Sequence, residues 1–338
     1  QILRIEFMQP SPLLHNNDWS IVEKLPQDGT FRTYTRIEKN GKTALHMDCG
    51  PLEGVPLVTR VSDFVPICEW LRSIGLRAPE IYELDELNNA AIIEDFGRVS
   101  VKQAMANGVD RMQIYKTAGR ILEVIQQAHC DLDLPNFQTS FMRKARERFA
   151  MWYVPVLHGA SNPDGFAEEY AAMWDEIERS IGPYEECFMH VDFHVENLMY
   201  LGGEGLNSIG IIDFQEGMYG PNSYDLVNLL EDMRADVPPD IQHELLKDKS
   251  ESFRNWYRVL GTQFHCRLLG QIIRWAVVED KCQYMQYYDR LLPYVERALD
   301  DPVLAPFRAW LQREGIVLQD ASRLDWQGRR DFIADDAI

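Results

Sequence analysis

The sequence predicts an α+β fold in two parts, a small strand-rich segment over residues 1–97 and a larger, mostly helical one over 98–338. Three observations predict it. Short alternating apolar stretches punctuated by turn residues occupy the first hundred positions. Long stretches with apolar residues at helical spacing follow Gly97. Between the helical stretches lie two short apolar runs, around Phe188-Met189 and Ile209 to Ile212, that read as buried strands with acidic residues at their ends.

Taken in order, Trp19 to Leu25 reads as a strand, Pro26 to Thr30 as a turn, and Phe31 to Glu38 as a second strand. Lys39-Asn40-Gly41-Lys42 is a tight hairpin, because Asn-Gly accepts the left-handed backbone of a two-residue turn. Thr43 to Met47 completes the hairpin as a third strand. Phe64 to Leu71 has helical periodicity and ends near Gly75, and Glu80 to Leu84 and Ala90 to Glu94 are further strands. Asp110 to His129 forms a long helix with Ile114, Ala118, Ile121, Leu122 and Ile125 on one face. Residues 141–157 and 164–181 are helical, as is nearly all of 224–312, and the acidic tail from Gln319 to Ile338 is expected to pack loosely.

Composition narrows the function. A formal charge of −19 and a pI near 4.8 argue against nucleic-acid or anionic-membrane partners, which demand a basic surface. The six cysteines are scattered without a C-x-x-C pair, as free thiols of a reducing cytoplasm would be. No apolar run approaches a membrane span, and the opening residues lack a charged-then-apolar leader pattern. A cytoplasmic protein is the expectation.

The chemistry concentrates in His190-Val191-Asp192-Phe193-His194-Val195-Glu196-Asn197, followed by Ile211-Ile212-Asp213-Phe214. An acid, an amide five residues on, and a second acid after a short break are what phosphoryl transfer from a nucleotide needs. One carboxylate takes or orients the proton of an attacking hydroxyl, while an amide oxygen and another carboxylate hold Mg²⁺ on the phosphates. Two other readings stand beside this one. An isolated H-x-D is commonly a structural pair, and His190, Asp192 and His194 alternate so that a strand would present all three to a metal, as in a hydrolase.

These residues resemble the aminoglycoside phosphotransferase and choline kinase family, which has a bilobal protein-kinase-like fold. The resemblance implies Asp192 as catalytic base, Asn197 and Asp213 as Mg²⁺ ligands, and His190 as a structural brace of the loop. It implies an interlobe hinge at Ile92 to Gly97, with Glu94 and Phe96 at the adenine, so that the lobes would be 1–97 and 98–338. Within the family, Ile212-Asp213-Phe214-Gln215-Glu216 and Tyr224-Asp225-Leu226-Val227 are similar to bacterial kinases that phosphorylate the C1 hydroxyl of N-acetylmuramate and N-acetylglucosamine. That similarity, running from about residue 15 to 315, implies ATP as donor, a small sugar as acceptor, and Gln215, Glu216 and Asp225 as acceptor contacts.

The glycine-rich turn of the nucleotide site corresponds to Gly29 and Thr30, followed by Arg32. One departure stands out. Where the third strand of a kinase carries a phosphate-binding Lys, Thr43-Ala44-Leu45-His46 presents His46, and no Lys occurs between Lys42 and Lys102. Arg32 is the first candidate for the missing cation, since a guanidinium binds phosphate bidentately. A kinase of aminoglycosides or other small alcohols and a nucleotide-binding pseudokinase remain alternatives. Aromatic residues such as Trp152, Trp256 and Trp275 are expected in the core rather than against a sugar.

Overall fold

The computed structural model describes residues 13–14, 18–26, 32–52 and 60–333. It divides into two compact units, one of residues 1–132 with 195–217 and the other of 133–194 with 218–338. This partition is by packing, and it differs from the change of element type expected at residue 97.

The first unit is built on a five-stranded antiparallel sheet in the order β1-β2-β3-β5-β4, with β1 Ser20–Lys24, β2 Thr33–Lys39, β3 Lys42–Asp48, β4 Ile81–Asp85 and β5 Ala90–Glu94. The Asn-Gly turn forms as expected: Asn40 and Gly41 have φ of 54° and 78°, and Lys39 pairs with Lys42 across it. Register then decides what each side chain meets, because successive residues of a strand face opposite ways. Ile37, Ala44 and Ile92 share one face and pack under Trp19 and Tyr82. Arg36, Leu45 and Ile93, opposite one another on β2, β3 and β5, share the other.

Helices α1 (Val61–Ser73) and α3 (Arg111–Gln127), separated by the short α2 (Val101–Ala106), belong to the same unit. Both longer helices lie where periodicity puts them. Asp110 caps α3, its carboxylate accepting from the Gln113 N–H at 2.8 Å. A two-stranded ladder of β7 (Leu198–Tyr200) and β8 (Ile209–Ile211) spans the chain between Asn197 and Asp213.

The second unit is mostly helical, as expected. Its one ladder among the described residues joins β6 (Glu186–Met189) to β9 (Met218–Pro221). Helices α4 (Phe166–Ser180), α5 (Tyr224–Leu230), α6 (Glu251–Val278) and α7 (Tyr288–Ala298) enclose a core rich in aromatic rings, among them Trp174, Tyr170 and Phe149. The helix expected over 141–157 is broken into short turns, including wider five-residue turns at Gln138–Met142 and Phe149–Tyr153.

The tail departs from expectation. Leu324 and Ile333 are buried, Arg329 donates from Nη1 to the Val156 carbonyl at 2.5 Å, and Tyr288 donates to the Gln319 carbonyl at 2.9 Å. Its polar composition concealed two buried apolar side chains and two hydrogen bonds to residues far away in sequence. Among the described residues, no helix is long and apolar enough to cross a membrane.

Candidate active site

Within the first unit, a cavity of about 500 Å³ opens on the sheet face that carries Arg36, Leu45 and Ile93. Phe64 and Ile212 add apolar surface, Glu94, Phe96 and Gly97 form one edge, and Arg32, Asn197 and Asp213 supply polar groups. Flat apolar walls beside a short cluster of charges suit a base at one end and phosphates at the other.

The expected hinge is held by a residue that sequence reading passed over. Arg36 donates to both carboxylate oxygens of Asp95, at 2.6 and 3.1 Å, and to the Gly97 carbonyl at 3.1 Å. Burial pushes the Asp95 carboxyl up, yet the Arg36 guanidinium and the Gly97 N–H outweigh it and leave the group below its ordinary value. The Glu94 carboxylate is occupied elsewhere, pairing with Arg77 at 2.6 Å, so its place at the cavity is a backbone one. The Phe96 ring lies on β8 at Gly210, where an added Cβ would stand 2.6 Å from it.

His46 does not join this cavity. It pairs with Thr35 and Ile92, on the opposite face of the sheet from Leu45, and burial holds its imidazole below the ordinary value. The expectation that it stands in for the strand lysine was off by one residue, which in a strand is the wrong side. Leu45 lines the cavity, and Met47 shares its side of β3. A cation on the cavity is Arg32, 8% exposed, whose Nη2 donates to Asp213 Oδ1 at 2.9 Å. Gly29 and Thr30 lie outside the described residues.

Asp213 has φ of 63°, a left-handed conformation that Asp tolerates better than most residues. Phe214 anchors it from the next position, stacking on Phe64 of α1 with ring centroids 4.9 Å apart. Gln215, expected at the acceptor, instead donates from Nε2 to Asp213 Oδ1 at 2.9 Å. The Asp213 side chain remains 39% exposed and Asn197 lines the same cavity, so two hard oxygen donors are reachable there. That donor set fits Mg²⁺, which takes one or two protein oxygens alongside phosphates. Among the described residues, no group of three or more His, Cys, Asp or Glu is arranged to hold a metal by itself, so the reading of His190, Asp192 and His194 as a metal triad finds no support.

Asp192 belongs to the second unit, at the turn that leaves β6. The residue before it, Val191, has φ of 75°, a strained value for a β-branched side chain. Helix α5 holds the turn there. Asp225 accepts from the His190 and Val191 N–H groups at 2.6 and 2.9 Å, and Asn228 Nδ2 donates to the Val191 carbonyl at 2.8 Å. Asp225 was expected against the acceptor, but it is 3% exposed and both its oxygens are bound to backbone. Burial pushes its carboxyl up to about 6, although His190 and the two N–H groups pull the other way. His190 is buried with its ring edge-on to Phe193, in keeping with a structural role. Glu216 is exposed.

The model of the phosphotransferase enzyme family matches residues 21–261. The chain belongs to that family. Among curated relatives, the N-acetylmuramate/N-acetylglucosamine kinase of Caulobacter vibrioides is 26% identical over 86% of this chain and 91% of its own. Among solved structures, a choline/ethanolamine kinase family protein from Mesorhizobium loti superposes with a TM-score of 0.60 at 11% identity, covering 90% of this chain and 96% of that one. The GDP complex of aminoglycoside 2'-phosphotransferase-IIIa gives 0.55 at 14% identity, covering 85% and 95%. The bilobal protein-kinase-like class expected from the sequence is therefore correct, and this member of the family is a phosphotransferase, whose donor is a nucleotide.

Proposed function

We propose that this phosphotransferase moves the γ-phosphoryl group of ATP to the anomeric hydroxyl of N-acetylmuramate and N-acetylglucosamine. The observation that carries the reading is the likeness, across 86% of the chain, to a kinase named for those two sugars. Arg32, on the cavity beside Asp213, supplies the cation that the third strand lacks, which removes the motive for a pseudokinase.

In this mechanism the hinge backbone from Glu94 to Gly97 reads the base, and Leu45, Ile93 and Ile212 enclose it. Asn197 and Asp213 would hold Mg²⁺. When bound, the ion offsets phosphate charge and orients the transferring group. Arg32 shares that task as a bidentate donor. Asp192 accepts the proton as the acceptor oxygen bonds to the γ-phosphorus and the bond to the β–γ bridging oxygen breaks, releasing ADP. Asn197 follows Asp192 by five positions, so one short stretch of chain carries both base and metal ligand. An anomeric hydroxyl is more acidic than an ordinary alcohol, which suits a carboxylate base.

The test is a coupled assay of ADP release with N-acetylmuramate, N-acetylglucosamine, kanamycin and choline, with the product identified by ³¹P NMR. A sugar 1-phosphate is expected. Turnover of kanamycin with neither sugar consumed would overturn the reading in favour of an aminoglycoside kinase.

A further inference from the structure

The second unit contains three arginines that this mechanism does not use. Arg267 and Arg274 lie seven residues apart on α6, and therefore on one side of the helix, with Gly270 between them. An added Cβ at Gly270 would stand 2.2 Å from the Arg148 carbonyl oxygen. The backbone of Arg148 thus lies directly on that turn, and glycine is what admits it. The three guanidinium groups share aromatic faces. Arg148 lies 5.3 Å from the Trp152 ring centroid and 6.0 Å from that of Phe141, Arg267 lies 5.3 Å from Phe141, and Arg274 lies 5.2 Å from Trp152.

Arg274 is paired with Glu279, whereas neither Arg148 nor Arg267 has a carboxylate within ion-pair distance among the described residues. The Nε of Arg267 is buried without a hydrogen-bond partner there. Burial first, then the charges of Arg267 and Arg274, pull Arg148 down to about 10. Like charges held together in partly desolvated surroundings destabilise a fold unless an anion completes them. The cluster also reaches toward Asp192: buried Tyr224 lies within electrostatic range of both Arg267 and Asp192.

We propose that Arg148 and Arg267, backed by Arg274, bind a carboxylate on the acceptor, so that the favoured substrate is an N-acetylated amino sugar bearing an acidic side arm. The inference rests on the acceptor class proposed above. Planar guanidinium groups bind carboxylates bidentately, and the ring faces of Phe141 and Trp152 hold these guanidinium groups in place. The same cluster repels polycations such as aminoglycosides.

The test compares N-acetylmuramate, its neutral carboxamide and N-acetylglucosamine, with the wild type, Arg148→Gln and Arg267→Gln. The wild type is expected to show a KM for the acid at least tenfold below that for the carboxamide. In either variant that gap closes through a rise in the acid's KM, on the order of 10- to 100-fold, with a much smaller change in kcat. Calorimetry with each sugar and no nucleotide reads the same loss without turnover. Because each variant removes a repelled charge, its melting temperature should equal or exceed that of the wild type. Should a variant fail to fold, wild-type calorimetry at low and high salt, acid against carboxamide, still decides. Equal binding of acid and carboxamide by the wild type, or equal losses for both in the variants, overturns the proposal. Turnover of neither sugar by the wild type would overturn the acceptor assignment instead.

Discussion

Arg32 Nη2 lies 2.9 Å from Asp213 Oδ1, joining positions 181 residues apart. The pair places a cation beside the carboxylate expected to hold metal, on the cavity where the third strand offers Leu45 in place of a charge. Arg32 is 8% exposed, so its side chain is already ordered before any phosphate arrives.

Arg32→Gln is predicted to weaken ATP binding about 10- to 100-fold, the usual worth of a charge-assisted hydrogen bond. Calorimetry with a non-hydrolysable ATP analogue reads it directly. Affinity within threefold of the wild type would mean that another group meets the phosphates.

Replacing the base separates chemistry from binding. Asp192→Asn should lower kcat by about 10²- to 10⁴-fold, while the nucleotide dissociation constant stays within a few-fold. Wild-type turnover by this variant would exclude Asp192 as the base.

Asp225 ties stability to pH. Its folded value, about 6, lies above the ordinary value of 3.8, so the folded chain binds its proton more readily than the unfolded chain. The contribution is fully present below about pH 4 and is lost as pH rises through about 6. It amounts to on the order of 3 kcal/mol at most. The wild type should therefore gain stability relative to Asp225→Asn as pH falls from 7 to 4, in urea unfolding at several pH values. A difference independent of pH would show that Asp225 titrates normally. The variant should also lose kcat, since an amide cannot accept well from both N–H groups that hold Val191.

Gly210→Ala puts a methyl group 2.6 Å from the Phe96 ring. The ring must shift, and overpacking of this kind typically costs about 1–3 kcal/mol. The expected signature is a higher KM for ATP with little change in the KM for the sugar. Equal changes in both would argue against Phe96 as part of the nucleotide wall.

Local rules made much of this protein legible in its sequence. The Asn40-Gly41 hairpin follows from the two positive φ values its turn requires, and Ala90 to Glu94 is a strand with the bounds expected. The long helix begins at its Asp110 cap. The spacing of Asp192, Asn197 and Asp213 identified phosphoryl transfer because the motif is itself a local pattern. Tertiary structure decided which face or partner each remaining residue meets. Register turned His46 away from the cavity, a one-residue difference that no composition records. Asp225 and Gln215 met a backbone turn and a carboxylate instead of a sugar. Arg36 found Asp95 across 59 residues, and Arg148 met the α6 arginines only because Gly270 lets two segments touch. Spacing along a chain determines periodicity and turns, whereas charges and buried polar groups are assigned by contacts between distant segments.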